Sequence, residues 1–360
     1  MVKKVNFYRF FKKKKIIVTG HSGFKGSWLT LWLNELGSKV IGISDKKIKE
    51  NSFLNHRNVK KRLTSRILDI NNFENLKRII LREKPDIIFH LAAQAIVSES
   101  FEKPLETIKT NAVGSINVLH AASLLNKKVV CIMVTSDKCY LNLEKKNGYK
   151  ETDLLGGEDL YSGSKAAAEL LMKSYFEAFL KKNKKILFSS VRAGNVIGGG
   201  DWSKNRIIPD IIKSFTSNKK LQIKNPNSVR PWQHVIEPLF GYMLLSKLLY
   251  EKRYLNGQSF NFGPAKKKDY KVIELVKQLG KLFKRKKFYK IIKKKNFHET
   301  RFLRLISSKA KKKLRWKTVL SIEEVIYFIY DWYFTFSKSK DKVYHKTLEQ
   351  IKIYENKTLK

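Results

Sequence analysis

Cysteine is almost absent from this chain of 360 residues: Cys131 and Cys139 are the only two. Two cysteines build neither a disulfide framework nor a four-ligand zinc site, so a reducing compartment, the cytoplasm, is the simplest expectation. Long apolar runs are missing as well. The most apolar late stretch, 319–336, is broken by Glu323, Glu324 and Asp331, and no run reaches the roughly 18 uncharged residues that a membrane span needs. The N-terminus is basic but has no apolar h-region and no small-residue cleavage site, so no signal peptide is expected. Acidic residues are scarce, 31 against 75 Lys and Arg, which gives a formal net charge of +44. Arginine is the scarce base, since 61 of those 75 are lysine. The Lys runs at 12–15, 266–268, 284–287, 293–295 and 311–313 are scattered and form no helical stripe. Readers of phosphate and base edges are usually rich in Arg, and no zinc-finger, RNP or helix-turn-helix signal accompanies the lysines. Two sources of the charge stay open. One is a solvated surface set by composition, because Lys, Asn, Ile, Phe and Tyr share A/T-rich codons; the other is a polyanion-binding role. No specific nucleic-acid partner is expected.

What is present is apolar material enough for a sizeable core, 42% hydrophobic against 29% charged, in a strand–helix alternation. Residues 15–19, 39–44, 66–70, 86–92, 129–136 and 186–193 read as six strands. Helices are predicted over 73–83, 104–125 and 161–181, and Trp28, Leu29, Trp32, Leu33 and Leu36 recur at helical spacing before Gly37. This pattern predicts an α/β fold, a doubly wound parallel sheet covered on both faces. After about residue 192 the pattern turns irregular. There is no internal repeat.

Gly20-His21-Ser22-Gly23-Phe24-Lys25-Gly26 lies between a predicted strand and a predicted helix, the context a dinucleotide fingerprint requires. The GxxGxxG spacing gives a tight turn and lets the backbone approach a pyrophosphate, which the N–H groups at the helix start would face. A purely structural Gly-rich turn is the alternative. Asp45, at the end of the second strand, either binds the adenosine ribose or is an exposed loop carboxylate. No Arg stands beside it to take a 2′-phosphate, which favours NAD over NADP. Asp69 closes the third predicted strand, as a contact to adenine or as a strand-end cap.

Tyr161-Ser162-Gly163-Ser164-Lys165 puts Tyr and Lys at i and i+4 on one helical face. A lysine cation beside a phenol favours the phenolate and lowers its pKa from about 10, making Tyr161 a usable general base or acid. The fifth strand runs into Ser136-Asp137-Lys138, at the strand end that faces the ligand crevice of an open parallel sheet. Ser136 is placed to hydrogen-bond the oxygen that Tyr161 deprotonates. Simple hydride transfer or epimerisation needs only the hydroxyl, the Tyr and the Lys; the adjacent acid and base Asp137 and Lys138 point to loss of water. A turn with a neighbouring ion pair is the alternative.

In this order the motifs resemble the extended short-chain dehydrogenase/reductase superfamily: GxxGFxG at 20–26, His90-Leu91-Ala92-Ala93-Gln94, Thr110-Asn111 with Gly114, and YxxxK at 161–165. The resemblance is closer to the CDP-glucose 4,6-dehydratase family, through VTGHSGFKGSWL (18–29), VTSDKCY (134–140), YSGSKAAAEL (161–170), VRAGNVIGGGDW (191–202), RIIPDI (206–211), RPWQHVIEPL (230–239) and HETRFLRLISSKA (298–310). It runs from about residue 10 to about 335, and VTSDK and RPWQHV are its most specific parts. Many other sugar-nucleotide dehydratases carry Thr-Asp-Glu where this chain has Ser136-Asp137-Lys138.

The resemblance implies a Rossmann-type NAD-binding domain from 12–191 plus 234–262. It also implies a smaller, mixed α/β substrate-binding lobe from 192–233 plus 263–345, with a basic tail at 346–360. It implies that Gly20, Gly23, Phe24, Gly26, Asp45, Asp69, Ile70, Leu91, Ala92, Ala93, Asn111, Tyr161 and Lys165 hold NAD. Gln94, Asn195, Arg206, Arg230 and His234 are implied as substrate ligands, with His298 and Glu299 in a late substrate loop. Its mechanism would have Tyr161 take the proton of the glucose 4-hydroxyl while hydride leaves C4, Lys138 remove the C5 proton and Asp137 protonate the departing 6-hydroxyl, before hydride returns to C6. It further implies a homodimer or homotetramer through 104–125 and 161–181. The chain departs from the family pattern at 46–54, which lacks proline, and at Ile306, where an Asp is common; Ser307 is then expected to cap the late helix. The expectation is a dehydratase making CDP-4-dehydro-6-deoxy-glucose for surface-polysaccharide (O-antigen) deoxy sugars, with no metal. The alternatives are another NAD-dependent sugar-nucleotide dehydratase or epimerase on a UDP-, GDP- or dTDP-sugar, and a non-catalytic Rossmann-fold polyanion binder.

Overall fold

Short apolar runs become strands throughout the computed structural model, which describes residues 3–217, 219–264, 270–292 and 303–359. The strands are β1 (Lys15–Thr19), β2 (Lys39–Ser44), β3 (Leu63–Ile67), β4 (Ile87–His90), β5 (Val129–Val134), β6 (Ile186–Ala193), β7 (Val196–Ile197), β8 (Leu221–Ile223), β9 (Gln233–His234), β10 (Gln258–Phe262) and β11 (Tyr289–Ile291). Seven of them form one sheet in the order β10-β6-β5-β4-β1-β2-β3, and every neighbouring pair is parallel. β4, β5 and β6 are buried at every position, as strands covered on both faces must be. Helices Phe24–Glu35 and Ile236–Glu251 cover one face; Phe73–Glu83, Gly114–Ser123 and Leu160–Tyr175 cover the other. The expected doubly wound α/β sheet is therefore present. Its strand order reverses between β1 and β4, which opens the crevice where such sheets take ligands.

Several element ends differ from the sequence reading. β3 spans Leu63–Ile67, so Asp69 lies in the loop beyond it and does not close it. β5 stops at Val134 because the Ser136 side chain accepts from Lys138 N and starts a 3-10 turn, Asp137–Cys139. A π turn, Lys109–Val113, interrupts the first long helix, and another, Phe176–Leu180, ends the second. β10 is the seventh strand, beyond the six read from the sequence. Ser307 does precede the helix Ser308–Leu314, but its hydroxyl is spent on Gly263, donating to its carbonyl and accepting from its N–H, and caps nothing.

Beyond the large sheet lie the helices Ile207–Thr216 and Val272–Leu282 and the strand pair β8·β11. Residues 346–358 of the segment set apart above as a basic tail instead form most of the helix Val343–Thr358. Its Ile351 and Tyr354 are buried in the main core. Glu355 accepts from Trp32 Nε1 at 2.8 Å and from the Tyr8 hydroxyl at 2.5 Å. Tyr354 donates to Glu237 Oε2 at 2.8 Å, and that carboxyl also accepts from Val319 N and Leu320 N. Burial pushes Glu237 up to about 7, so these donors are what keep the group tolerable inside. Tyr354→Ala should cost about 3 to 5 kcal/mol, the range for removing a large buried ring, read as a lower urea midpoint at unchanged slope.

Candidate active site

The crevice opens at the β1 loop. Gly20 sits at φ +72°, and a Cβ there would lie 2.7 Å from Ala92 N. A Cβ on Gly26 would lie 2.0 Å from Gly20 O, while Gly23 meets nothing closer than 3.3 Å. The first and third glycines thus press loop, helix and β4 together, and Gly23 leaves an open cradle. No side chain caps the helix that follows, and no acidic residue stands in its first turn, so its free N–H groups suit an anion. The cradle fits a pyrophosphate. Gly42 matters for a neighbouring reason: a Cβ there would lie 2.3 Å from the His21 ring. Thr19 Oγ1 pairs with His90 Nδ1 at 2.7 Å and accepts from Ala92 N at 3.2 Å, fixing the β4 exit.

Across the cavity, Asp159 caps the helix Leu160–Tyr175 by accepting from Ser162 N at 2.9 Å. That sets Tyr161 and Lys165 one turn apart, with Lys165 Nζ 6.0 Å from the Tyr161 ring centroid. The Tyr161 hydroxyl hydrogen-bonds Ser136. Ser136 Oγ donates to Asp137 Oδ1 at 2.9 Å. Asp137 is buried and lies so near β6 that a Cβ on Gly194 would sit 1.8 Å from its Oδ2. Lys138 is half-buried and lines the same cavity.

Burial dominates the electrostatics. It pushes Tyr161 up to about 12, against the hydrogen bond with Ser136 and the charge of Arg206. The cation that acts on the phenol is thus Arg206 rather than the expected Lys165, and burial outweighs it. Burial likewise brings Lys165 down to about 8, helped by the charge of Lys25. His90 is pushed down to about 3 by burial and then by the charge of Lys165, so it is a neutral strut.

Under the site lies a buried ion pair. Arg192 Nη2 and Nε donate to Glu169 Oε2 and Oε1, both at 2.9 Å, and each side chain is 3% exposed. Glu169 also accepts from Thr135 Oγ1 at 2.5 Å and Ser190 Oγ at 2.7 Å. Arg192 Nη1 donates to the Tyr140 hydroxyl at 2.6 Å, and that hydroxyl donates to Asn261 at 2.8 Å. Burial alone would raise Glu169; the charge and hydrogen bonds of Arg192, with Thr135 and Ser190, hold it below the ordinary carboxyl value.

One cavity of about 1220 Å³ is lined by most of the residues singled out from the sequence. Gly20, Gly23, Phe24, Gly26, Asp45, Asp69, Ile70, Leu91, Ala92 and Ala93 line its β1–β4 side. Ser136, Asp137, Lys138, Tyr161 and Lys165 line its middle, with Gln94, Asn195, Arg206 and Arg230 around them. Two do not reach it. Asn111 is fully buried, donating to Gln94 O and Ser164 Oγ and accepting from Gln94 N. It holds the wall from behind. His234 is fully buried with its ring against Trp28 and Phe328, each centroid 5.4 Å away. Its part is packing.

Others reach the cavity with their groups already engaged. The Gln94 amide folds back on Ile96 and Thr107. Asp69 Oδ1 accepts from Asn71 N and Nδ2 at 2.9 Å, the cap reading of that residue. Asp45 stays exposed, 4.0 Å from Lys46. Arg206 reaches Asp201 at 3.5 Å and donates to Ala95 O at 3.3 Å. Asn195 holds a left-handed backbone at φ +49°. His298 and Glu299 lie outside the described residues. Lys25, Glu169, Arg192 and Gly194 were missed; only the i+4 step from Lys165 to Glu169 hinted at one of them. Among the described residues no group of three His, Cys, Asp or Glu could hold a metal. Nor is any helix among them long and apolar enough to cross a membrane.

Known proteins are similar to this chain over most of its length. The family model for GDP-mannose 4,6 dehydratase matches residues 17–328. A CDP-glucose 4,6-dehydratase from Salmonella typhimurium is 39% identical over 337 residues, 92% of this chain and 94% of that protein. A dTDP-D-glucose 4,6-dehydratase from Dictyostelium discoideum is 31% identical over 224 residues, 58% of this chain and 50% of its own length. Among solved structures, an epimerase from Methanothermobacter thermautotrophicus superposes with a TM-score of 0.81 at 22% identity, covering 94% of this chain and 97% of its own. A dTDP-glucose 4,6-dehydratase from Bacillus anthracis, solved in complex with NAD, gives 0.73 at 21% identity, covering 90% and 98%. At such identities these two speak for the fold.

Removing one partner of a buried pair strands the other charge. Glu169→Gln should therefore cost about 3 to 5 kcal/mol near neutral pH. The wild-type carboxyl contributes fully above the ordinary glutamate value near 4.3 and loses its contribution as pH falls through its lower folded value. Urea denaturation at pH 7 and pH 4 should accordingly show the gap between wild type and variant narrowing at the lower pH.

Proposed function

The chain belongs to the GDP-mannose 4,6-dehydratase family of sugar-nucleotide dehydratases, and we propose that its substrate is CDP-glucose and its product CDP-4-dehydro-6-deoxy-glucose plus water. The observation that carries this reading is the meeting of Ser136-Asp137-Lys138 with Tyr161 and Lys165 on one cavity wall. A hydride-transfer enzyme has no use for the additional Asp–Lys pair, whereas an elimination needs both an acid and a base. The 39% identity to the Salmonella CDP-glucose enzyme supports the choice of nucleotide.

The cofactor we assign is NAD. The Gly20–Gly26 cradle and helix start would hold its pyrophosphate, and Asp45 at the end of β2 its adenosine ribose. NAD, when bound, supplies the hydride acceptor for the first step and the donor for the last. The chain's own residues do the rest. Tyr161 takes the proton of the 4-hydroxyl as hydride leaves C4, with Ser136 hydrogen-bonding the same oxygen. Burial favours the protonated form of Tyr161, and Lys165 is the cation placed to release its proton. The 4-keto group acidifies the C5 hydrogen, which Lys138 removes as the base. Asp137 protonates the 6-hydroxyl, which departs as water. Arg206, Arg230 and Asn195 are assigned to the sugar nucleotide. The Rossmann part (12–191 plus 234–262) would carry NAD, and the smaller lobe (192–233 plus 263–345) the sugar nucleotide.

We place the enzyme in the cytoplasm, in deoxy-sugar synthesis for a surface polysaccharide such as O-antigen. Both of its cysteines are free thiols, which suits a reducing compartment. We also infer a homodimer or homotetramer. Leu105, Leu170 and Phe179 are exposed by 79%, 51% and 66% on neighbouring helical segments, and an apolar face of this kind is usually covered.

The purified protein should release one water from CDP-glucose and not from UDP-, GDP- or dTDP-glucose, measured by mass. Lys138→Ala in heavy water should lose deuterium incorporation at C5; incorporation at the normal rate would remove Lys138 from the base role. Leu105→Glu with Leu170→Glu should lower the sedimentation mass to that of one chain, and an unchanged mass would place the interface elsewhere.

A further inference from the structure

All seven strands of the large sheet run parallel, because each crossover returns the chain to the same side before the next strand begins. Their last residues meet at the edge that holds the cleft, and their first residues meet at the opposite edge. That opposite edge gathers lysines that look scattered along the sequence. β1 follows Lys12, Lys13 and Lys14, and β2 opens on Lys39. Lys60, Lys61 and Arg62 lead into β3, and Lys84 stands just before β4. Lys127 and Lys128 lead into β5, Lys184 and Lys185 into β6, and Lys252 and Arg253 stand before β10. Backbone hydrogen bonds set these starts side by side. Lys39 N donates to Lys14 O at 2.8 Å, Val40 N to Arg62 O at 3.2 Å and Val129 N to Lys185 O at 2.9 Å.

Acids do not balance this edge. Asp86 accepts from Lys127 Nζ and from Lys15 N, both at 2.9 Å, and Glu83 lies 3.6 Å from Lys15 Nζ. Glu177 is taken by Lys181 at 2.7 Å. Lys12, Lys13, Lys39, Lys60, Lys84 and Lys184 are exposed and make no ion pair among the described residues. At the cleft edge, by contrast, carboxylates stand just past the strands: Asp45 after β2, Asp69 after β3 and Asp137 after β5. Lysine set by composition alone would not choose between the two edges. Seven strands at a spacing of about 4.8 Å make the edge about 29 Å across, so the charge covers an area and not a groove. Tyrosines are set among the cations. Lys14 Nζ and Lys128 Nζ lie 4.5 and 4.4 Å from the Tyr250 ring centroid, and Tyr254, beside Arg253, is 56% exposed.

We propose that this edge is a docking surface for a lipid bilayer carrying anionic headgroups, on which the protein sits with its cleft turned away. Polybasic surfaces are drawn to acidic lipids by the surface potential, and tyrosine settles at headgroup level. Lysine, a compact point charge, suits attraction to a charged plane, whereas reading of base edges favours the arginine fork. The attachment is peripheral, since no helix among the described residues is long and apolar enough to cross a membrane. Contact through the strand starts leaves the cleft open to its ligands, and the inference does not depend on which nucleotide the cleft takes.

The test floats the full-length protein with vesicles on a density gradient at about 0.1 M salt, where exposed charges are screened beyond about 10 Å. One set of vesicles is phosphatidylcholine alone; the other is three parts phosphatidylcholine to one part phosphatidylglycerol. The protein should rise with the anionic set only and be released as salt is raised. Lys39→Gln, Lys60→Gln, Lys84→Gln and Lys184→Gln combined should weaken this binding about a hundredfold, the scale of several lysines leaving an anionic surface. A control removes the same charge through Lys277→Gln, Lys281→Gln, Lys286→Gln and Lys287→Gln, all exposed, on the helix Val272–Leu282 and the turn after it. Val272 lines the cleft, so this control should bind like wild type. All these lysines are exposed, so both variants should keep the wild-type urea midpoint; should the first fail to fold, Lys39→Glu with Lys84→Glu replaces it. No flotation of wild type would overturn the proposal. Equal loss in the two variants would overturn it as well, because net charge and not this edge would then do the binding. Duplex DNA added at equal phosphate should leave the protein on the vesicles; transfer of the protein to the DNA would give the surface to nucleic acid instead.

Discussion

The site depends on a buried ion pair that does not itself line the cavity. Glu169 and Arg192 join the helix Leu160–Tyr175 to β6, and Glu169 also takes the hydroxyl of Thr135, the residue after β5. Ser136, Asp137 and Lys138 follow immediately, while Tyr161 and Lys165 stand on the helix two turns and one turn before Glu169. One carboxylate therefore fixes the separation between the two halves of the reaction centre. Such a pair costs several kcal/mol to desolvate, and here the cost is offset by a full set of donors. The guanidinium makes two bonds, Thr135 and Ser190 make one each, and Tyr140 relays the network to Asn261 in β10. An apolar replacement would pack as well but could not specify where the strand end sits against the helix.

Above that pair the cleft is lined by more cations than acids. Desolvation favours neutral forms, so it raises the tyrosine and lowers the lysines at once. An anionic nucleotide bound beside these groups would favour the lysine cations and, through them, the phenolate that the proposed oxidation at C4 needs.

The parts of this arrangement that are local in sequence were legible there. The Gly-rich turn, the i, i+4 step from Tyr161 to Lys165 and the acid–base pair after β5 each declare themselves within a few residues, and the alternation of strands and helices fixed the class of fold. Tertiary choices were not legible. Asn111 and His234 have the composition of ligands, yet a π turn points one behind the wall, and Trp28 with Phe328 encloses the other. Glu169 and Arg192 look like an ordinary helix acid and strand base, because their partnership exists only once β5, β6 and the helix are assembled. Gly194 signals nothing until Asp137 is seen lying where its side chain would be. The lysine-rich end of the chain looked like surface because its charges outnumber its few apolar residues, although Ile351 and Tyr354 are the ones that matter.

That last helix gives the molecule an unexpected topology. Lys4 Nζ lies 3.2 Å from Asn356 Oδ1, and Tyr8 reaches Glu355 across 347 positions of sequence. The two extremes of the described chain thus lie side by side, and the polypeptide is close to a closed ring. The entropy of closing so long a loop grows only with the logarithm of its length, so the clasp is inexpensive once the sheet has assembled, and it is a long-range contact that forms late. A ring can be opened anywhere along its circumference. Joining the segments around Lys4 and Asn356 by a short linker, and breaking the chain in an exposed loop on the other side, would preserve every contact around the cleft. The order in which this polypeptide is written is therefore separable from the shape it takes.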